Sequence, residues 1–189
     1  MSPIPIWSDQ ISDTPVGPLR VWVTENGVRR IDFCSEPSAT LGRVLAGEAL
    51  SPEPAPTHLE AITSQLREYV DRRRRTFDVP LDLSQVTPFQ FRVYERLLLI
   101  PYGSVVTYGE VATEIGEEPR KARAVGRAIG ANPIVIVVPC HRVVAADGRL
   151  TGFGGGTSRK SALLRLEGIY VDGTRPSSRV QPEIIRLPI

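Results

Sequence analysis

The hexapeptide Pro139-Cys140-His141-Arg142-Val143-Val144 places a thiol beside an imidazole. It follows the unbroken apolar run 134–138, which lies between Pro133 and Pro139. Because this run is short, β-branched and bounded by prolines, it predicts a buried strand that ends at Pro139. Such a strand would deliver Cys140 to the floor of a pocket. The chain has only 2 cysteines and 2 histidines, so this stretch is our first candidate for a reactive site.

Cys140 has to be weighed as an inert core residue and as a zinc ligand before it is taken as reactive. A buried free cysteine is most often inert, but an adjacent histidine favours the reactive thiolate. A structural zinc site normally has four ligands at short paired spacings, and adjacent Cys and His rarely bind the same metal. Only Cys34 and His58 remain as further ligands. We therefore expect no metal site, and the residues alone leave Cys140 open as an inert core thiol or as a reactive one.

Size and composition are those of a globular protein with one or two small domains. Of its 189 residues, 41% are hydrophobic and 23% are charged, which are ordinary values. No apolar run approaches the length of a membrane span, and residues 1–10 lack the basic and apolar regions of a signal peptide. Two cysteines do not make a disulfide framework. We therefore expect a cytoplasmic protein with reduced thiols and no membrane partner.

The charge is unevenly distributed along the chain. Residues 1–86 hold 9 basic and 12 acidic side chains, whereas residues 87–189 hold 14 basic and 9 acidic ones. The half that contains Cys140 is therefore basic, which indicates a polyanionic partner. Lys121 and Lys160 are the only lysines among many arginines, which we interpret as a compositional preference.

The segment 1–86 predicts a small domain that begins with a sheet. Alternating apolar residues indicate a strand at 19–23, Asn26-Gly27 is typical of a hairpin turn, and 28–33 is the returning strand. The following segment, 35–56, is rich in Pro, Ser, Ala and Glu. It predicts a linker with one short helix over residues 39–46.

The N-terminal domain ends with a helix. Thr57 is expected to begin it and Glu60 to complete a capping box. Apolar residues at helical spacing continue as far as Val70.

Residues 87–170 predict a second, mostly helical domain. Thr87 and Thr107 each precede an amphipathic segment, and Gln90 and Glu110 follow them at capping-box spacing. The fold class is therefore α+β, with a small β-sheet and helix domain before a mostly helical one.

The second domain continues with two more helices and a tail. One helix is predicted from Pro119 to about residue 129 and the other over 158–166. Residues 171–189 contain three prolines and predict a loosely attached tail.

The short helices around Gly116 suggest a helix-turn-helix. The second of them carries Arg120, Arg123 and Arg127 on one face. A solvated polar face would account for this stripe. A basic stripe separated mainly by Ala and Gly is also typical of a surface that contacts DNA.

The motif PCHRVV, preceded by Asn132-Pro133 and followed by GFGGG at 152–156, resembles the active-site signature of the O6-alkylguanine-DNA alkyltransferases. These are also called methylated-DNA–protein-cysteine methyltransferases. The resemblance extends over about 14–168 and is closest over 89–167. It implies irreversible, single-turnover transfer of an alkyl group from O6-alkylguanine, and from O4-alkylthymine, in double-stranded DNA. It further implies base flipping, minor-groove binding, no cofactor and a monomer in solution.

The resemblance assigns the chemistry to four residues. Cys140 matches the nucleophile, and His141 matches the base that acts through a water molecule. Glu167 matches the carboxylate that orients the histidine. Asn132, followed by Pro133, matches the hinge beside the recognition helix.

The resemblance also assigns substrate and DNA contacts. Tyr108 matches the tyrosine that rotates the nucleotide, Arg123 the arginine that fills the gap left by the flipped base, and Gly126 a glycine of close helix packing. The backbone around Val143 would bind the base edge, with Phe153 and Gly154 in a loop that closes over it. Arg120 and Arg127 would at most neutralise phosphates. These residues are Tyr108, Arg120, Arg123, Gly126, Arg127, Val143, Phe153 and Gly154.

Two departures and two alternative functions remain open at this point. The family often has tyrosine and serine where Phe153 and Gly154 stand, which removes a hydrogen bond to the alkylated oxygen. A helix-turn-helix regulator that senses alkylation would need dimerisation or a second DNA-binding unit. A cysteine hydrolase normally has its nucleophile and histidine far apart in sequence.

Overall fold

The computed structural model describes residues 4–34 and 48–181. They form two compact units, which divide the chain into Met1–Gln85 and Val86–Ile189. The first contains a sheet and a helix and the second is mostly helical, so the predicted α+β class is confirmed. The short helix predicted over 39–46 lies outside the described residues. No helix in the described ranges has the length and apolar character needed to cross a bilayer.

In the described residues, the first unit is a four-stranded sheet in the order β3-β2-β1-β4 with one helix. The elements are β1 (Ile4–Ile11), β2 (Leu19–Thr24), β3 (Gly27–Phe33), β4 (Glu48–Leu50) and α1 (Thr57–Val70). β1, β2 and β3 are antiparallel, whereas β4 runs parallel to β1. Trp22, Ile62 and Leu66 are fully buried in this unit.

The predicted hairpin is confirmed, with its turn one residue earlier than expected. Thr24 pairs with Gly27, so Glu25 and Asn26 form the loop. Gly27 has a φ of 140°, and a Cβ there would lie 2.4 Å from the carbonyl oxygen of Pro80. A glycine is therefore required by both conformation and space.

Three features of the first unit differ from the sequence-based expectation. β1 was not predicted, because its burial does not alternate and it contains Pro5. β4 was not predicted because it has only 3 residues. The capping box of α1 does not form, since Pro56 occupies the N-cap position and no side chain caps the helix.

Where the structure describes it, the second unit holds the reactive stretch and four α-helices. Its elements are α2 (Pro88–Leu98), β5 (Val106–Thr107), α3 (Tyr108–Glu114), α4 (Ala122–Gly130), β6 (Val143–Val144) and α5 (Thr157–Leu166). The capping boxes of Thr87 with Gln90 and of Thr107 with Glu110 are both present. The helix predicted from Pro119 begins instead as a separate 3₁₀ turn, Pro119–Lys121.

The buried strand predicted over 134–138 is wrong, because this run folds as a tight turn. The amide of Val138 donates to the carbonyl of Ile134 at 3.0 Å, and Ile136 has a φ of 74°. Ile134, Ile136 and Val138 are nonetheless fully buried. The run is buried by folding back on itself, with a bridge between Val135 and Val138.

The loosely attached tail predicted from residue 171 is also wrong for the part that the structure describes. Val171 and Val180 form a bridge and are 1% and 2% exposed. They belong to an apolar cluster with Val144, Leu150 and Leu164. Residues 171–180 are therefore part of the core of the second unit.

Candidate active site

Cys140 begins a 3₁₀ turn, Cys140–Arg142, at the end of the buried run. Its amide donates to the carbonyl of Val138 at 2.8 Å, and only 2% of the residue is exposed. Burial raises the pKa of its thiol, while a hydrogen bond from Asn132 and the charge of Lys160 oppose that rise. A resting thiol therefore needs a base to become a good nucleophile.

His141 pairs with a buried carboxylate. Its Nε2 lies 2.9 Å from Oε1 of Glu167, and both side chains are fully buried. Burial lowers the pKa of His141, although Glu167 partly opposes this, so the ring rests neutral. The carboxylate favours the proton on Nε2, which makes Nδ1 the basic nitrogen.

Arg142 is a site residue that the sequence reasoning missed. Its guanidinium donates to Glu167 through Nε at 3.0 Å and through Nη2 at 2.8 Å, and it also donates to the carbonyl of Ile100. The amide of Gly103 adds a bond to Oε2 of Glu167 at 3.1 Å. The sequence did contain a signal for it, because Arg142 is a charged residue inside the hexapeptide that follows the apolar run 134–138.

These contacts keep the Glu167 carboxylate charged. Burial alone would raise its pKa, but the charges and hydrogen bonds of His141 and Arg142 outweigh burial and lower the pKa below its usual range. A carboxylate that is held charged beside a neutral histidine can stabilise the imidazolium that forms when the histidine takes a proton.

Asn132 holds the two ends of the tight turn that precedes Cys140. Its side-chain amide donates to the carbonyl of Val138 at 2.9 Å, and its side-chain oxygen accepts from the amide of Ile134 at 3.0 Å. Asn132 therefore fixes the backbone from which the thiol projects.

Tyr108, Arg123 and Arg127 line a cavity of about 410 Å³ next to α4. Both arginines are exposed and lie one helical turn apart. Gly126 lies between them, and a Cβ there would be 3.7 Å from the Tyr108 ring. Arg120 is not on this helix: it lies in the 3₁₀ turn and pairs with Glu118.

Tyr108 is hydrogen-bonded to the loop at residues 151–152, which also lines this cavity. Its hydroxyl donates to the carbonyl oxygens of Thr151 at 3.1 Å and of Gly152 at 3.4 Å. Burial, helped by the nearby Cys140, raises the pKa of Tyr108 to about 12 despite the bond to Thr151. The phenol is therefore a neutral hydrogen-bond donor at physiological pH.

The remaining residues of the expected site are Val143, Phe153 and Gly154. Val143 is buried at the start of β6, and its amide donates to the carbonyl of Cys140. Phe153 is half-buried and Gly154 is exposed. A Cβ at Gly154 would lie 3.5 Å from the carbonyl oxygen of Gly130, the last residue of α4.

Lys160 is the second residue that the sequence reasoning missed. It is fully buried in α5, and its Nζ donates to the carbonyl of Leu150 at 2.7 Å. The signal was available, because Lys160 is one of two lysines in an arginine-rich chain.

The described residues contain no group of three or more His, Cys, Asp or Glu that could hold a metal ion. Neither Cys34 nor Cys140 forms a disulfide.

Two family models match the chain. One is described as "6-O-methylguanine DNA methyltransferase, ribonuclease-like domain" and matches residues 10–83. The other is described as "6-O-methylguanine DNA methyltransferase, DNA binding domain" and matches residues 88–169. The second match contains the whole His141–Glu167 arrangement and the α4 arginines.

Individual relatives extend the similarity over most of the chain. The methylated-DNA–protein-cysteine methyltransferase of Mycobacterium bovis is 45% identical over 158 residues, which are 82% of this chain and 88% of that protein. A Thermus thermophilus protein named "DNA base-flipping protein" is 39% identical over 156 residues, 82% of this chain and 96% of that protein. The crystal structure of Mycobacterium tuberculosis OGT in complex with DNA has a TM-score of 0.70 at 41% identity and covers 87% of this chain and 92% of that chain. The chain belongs to the methylated-DNA–protein-cysteine methyltransferase family.

Proposed function

We propose that this protein repairs DNA by transferring the alkyl group of O6-alkylguanine, and of O4-alkylthymine, to Cys140. A new S–C bond forms as the O6–C bond of the base breaks. The thiol gives its proton to His141, and a guanine ring nitrogen gains one proton as the O6–C bond breaks. Guanine therefore leaves with its normal protonation, and the protein keeps a thioether. A thioether is stable, and no residue is assigned to reverse it, so each chain acts once.

The observation that carries the proposal is that Cys140, His141 and Glu167 are all buried and that His141 is hydrogen-bonded to Glu167. The neutral His141 accepts the thiol proton through Nδ1, directly or through a water molecule, and the charged Glu167 stabilises the resulting imidazolium. Direct displacement at carbon needs a thiolate, in-line geometry and a stabilised leaving group. It needs no cofactor.

Tyr108 supplies the donor for the leaving base. Its hydroxyl is neutral up to a pKa of about 12, and it now donates to two backbone carbonyls. A guanine ring nitrogen that gains negative charge would be a better acceptor than these carbonyls. We assign the backbone around Cys140 and Val143 to the base edge, and Phe153 and Gly154 to the loop that covers it.

A buried thiol can be reached only by a base that leaves the DNA stack. Arg123 and Arg127 are exposed on α4 at the mouth of the cavity that Tyr108 lines. We assign Arg123 to the gap left in the duplex, Arg127 and Arg120 to phosphates, and Gly126 to the close approach of α4 in the minor groove. Asn132 supports the turn that carries the thiol.

The acceptor must be reduced before it can react, so we place the reaction in the cytoplasm and assign it to a monomer that binds double-stranded DNA. We further propose that residues 1–86 fold as one domain and that residues 87–170 fold as another, whose core is completed by residues 171–180. The second carries the chemistry, because every residue assigned above lies within it.

The experiment is intact-mass measurement after incubation with duplex DNA that contains O6-methylguanine. We expect a gain of one methyl group per chain, an unchanged Cys140→Ala mass despite retained DNA binding, and normal transfer by Cys34→Ala. Binding without a mass change would favour a base-flipping binder or a regulator over the transferase. Release of a hydrolysed product by an unmodified protein would favour the hydrolase.

A further inference from the structure

Tyr102 lies in the segment 100–103, which connects α2 with β5, and the mechanism above gives it no role. The hydroxyl of this half-buried side chain donates to the carbonyl of Leu166 at 2.9 Å. Leu166 is the last residue of α5, and Glu167 follows it at the C-cap position. The last carbonyls of a helix have no partner within the helix. The Tyr102 hydroxyl therefore satisfies a carbonyl that α5 leaves open.

The peptide group between Leu166 and Glu167 is held from both sides. Its carbonyl accepts from Tyr102, and its amide, which belongs to Glu167, donates to the carbonyl of Leu163 at 3.1 Å. The Glu167 side chain leaves the backbone at the next Cα atom. Because rotation of this peptide group would swing the carboxylate, the two bonds fix the direction from which Glu167 reaches His141.

The Tyr102 ring lies beside the second partner of the carboxylate, Arg142. Cζ of Arg142 is 5.9 Å from the centre of the ring, a distance at which a guanidinium is attracted to an aromatic face. Nη1 of Arg142 donates to the carbonyl of Ile100, at the beginning of the same segment. The segment 100–103 therefore holds the guanidinium that donates to Glu167.

Gly103 completes the contact between this segment and the carboxylate. Its amide donates to Oε2 of Glu167 at 3.1 Å, and its φ is 77°. A Cβ at this position would lie 3.2 Å from the carbonyl oxygen of Glu167. The residue next to Tyr102 can therefore approach Glu167 closely because it has no side chain.

We propose that Tyr102 is a positioning residue for the reaction, which holds Glu167 and Arg142 in the orientation that lets the carboxylate bind Nε2 of His141. The hydroxyl acts on the backbone of Glu167, and the ring acts on Arg142. A carboxylate that is held in this way fixes the tautomer and the ring orientation of its histidine. The inference rests on the proposed function for its catalytic meaning, but the orientation of His141 is a property of the protein without DNA.

Two variants separate the hydroxyl from the ring. Tyr102→Phe removes the bond to Leu166 and keeps the ring beside Arg142, whereas Tyr102→Leu removes both. Tyr170→Phe and Tyr170→Leu are the matched controls, because Tyr170 lies in the same unit and is 60% exposed.

The first measurement is the NMR spectrum of isotopically labelled histidine in the protein without DNA. The chain has 2 histidines, so His58 serves as the internal reference. In the wild type we expect the His141 proton on Nε2, with a downfield signal that the bond to Glu167 protects from exchange. Tyr102→Phe should move this signal upfield and accelerate its exchange with water, and Tyr102→Leu should do so further. The Tyr170 variants should leave it unchanged.

The second measurement is the rate constant of transfer from free O6-benzylguanine at saturating concentration, expressed per folded chain. We expect a fall of about three- to tenfold in Tyr102→Phe, the size expected for one lost hydrogen bond. The fall should be larger in Tyr102→Leu and absent in the Tyr170 variants. A role in stability alone would lower the free energy of unfolding and leave both the NMR signal and this rate constant unchanged.

An unchanged His141 signal in a folded Tyr102→Phe protein would overturn the proposal, whatever happens to the rate. A changed signal with wild-type transfer would also overturn it, because the orientation would then not matter for the reaction. Tyr102→Phe gives these results even if Tyr102→Leu does not fold. A wild-type protein that transfers no alkyl group would refute the proposed function alone, since the NMR signal does not depend on transfer.

Discussion

Glu167 shows how a single residue can organise the chemistry. It accepts hydrogen bonds from His141, Arg142 and the amide of Gly103, and it stays charged although it is buried. The carboxylate can therefore serve two functions. It orients the base, and it closes the last turn of α5 onto the loop that precedes β5.

The Arg142–Glu167 pair gives the first prediction. Removing one partner of a buried ion pair leaves the other charge uncompensated and costs about 3–5 kcal/mol, so we expect Arg142→Ala to lower the free energy of unfolding by that amount. Arg149→Ala is the control, because Arg149 pairs with Asp147 at the surface and such pairs contribute about 0–1 kcal/mol. Urea denaturation measures both. Equal, small losses would contradict the structural importance of Arg142.

The second prediction concerns the base. Burial raises the pKa of Cys140 and lowers that of His141, so at neutral pH the thiol keeps its proton until the neutral histidine takes it. In His141→Phe the thiol must ionise unaided. Transfer should therefore be slow at neutral pH and rise about tenfold per pH unit up to the thiol pKa.

The control for the base is His58→Gln, since His58 is the other histidine and its Nε2 contacts the carbonyl of Thr24 in the first unit. This variant should keep the wild-type pH profile of transfer. A His141→Phe profile that matches the wild type would rule out the relay.

At the scale of elements, the sequence predicted the structures that depend only on neighbouring residues. The capping boxes at Thr87 and Thr107 formed as expected, whereas the one at Thr57 did not, because Pro56 occupies the N-cap position there. The run 134–138 was mispredicted because its turn depends on Asn132, which bonds both ends. Periodicity cannot distinguish a buried turn from a buried strand of that length.

In the candidate site as well, the residues that could be predicted are those recognised from neighbouring sequence, and those that were missed depend on distant contacts. Cys140 and His141 could be found because they are adjacent in a distinctive motif. The contact of Arg142 with Glu167 spans 25 residues, and Lys160 meets Val143 across 17 residues. Their importance depends on contacts between distant segments, which composition and spacing do not reveal.

The third prediction belongs to α4. If Arg123 fills the gap left by the flipped base, it offsets unstacking that costs a few kcal/mol. Arg123→Ala should then reduce repair of duplex DNA far more than reaction with free O6-benzylguanine, which needs no flipping. The ratio of the two rates is the measurement, and an equal loss of both would make Arg123 a support of the pocket.

Arg120→Ala is the matched comparison, because Arg120 lies outside α4 and pairs with Glu118 at the surface. A phosphate contact adds affinity that depends on salt and not on sequence. We expect slightly weaker duplex binding, a salt slope lower by at most about one unit, and an unchanged rate ratio.

At the scale of the whole molecule, the core of the second unit includes residues 171–180, which the sequence analysis predicted to be a loosely attached tail. Val171 and Val180 pack with Val105, Val144 and Ile169, and Arg179 pairs with the backbone of Arg149. β6, the strand that follows the turn Cys140–Arg142, therefore shares its apolar cluster with residues 171–180. The polar composition of residues 172–179 concealed this, because Val171 and Val180 are the apolar side chains that the segment contributes to the cluster.

The fourth prediction tests that packing. Val180→Ala removes two buried methyl groups and should lower the free energy of unfolding by about 2 kcal/mol, including the cavity it leaves. Thr174→Ala changes an exposed residue in the same segment and should stay within about 0.5 kcal/mol of the wild type. A harmless Val180→Ala, measured by the same denaturation, would mean that the segment is peripheral.

The most direct test of the account is to locate the transferred group by peptide mass spectrometry after reaction with an excess of O6-methylguanine duplex. The account predicts S-methylcysteine at Cys140, an unmodified Cys34, and one guanine restored for each protein chain consumed. A methyl group on any other residue, or more guanines restored than chains present, would contradict it.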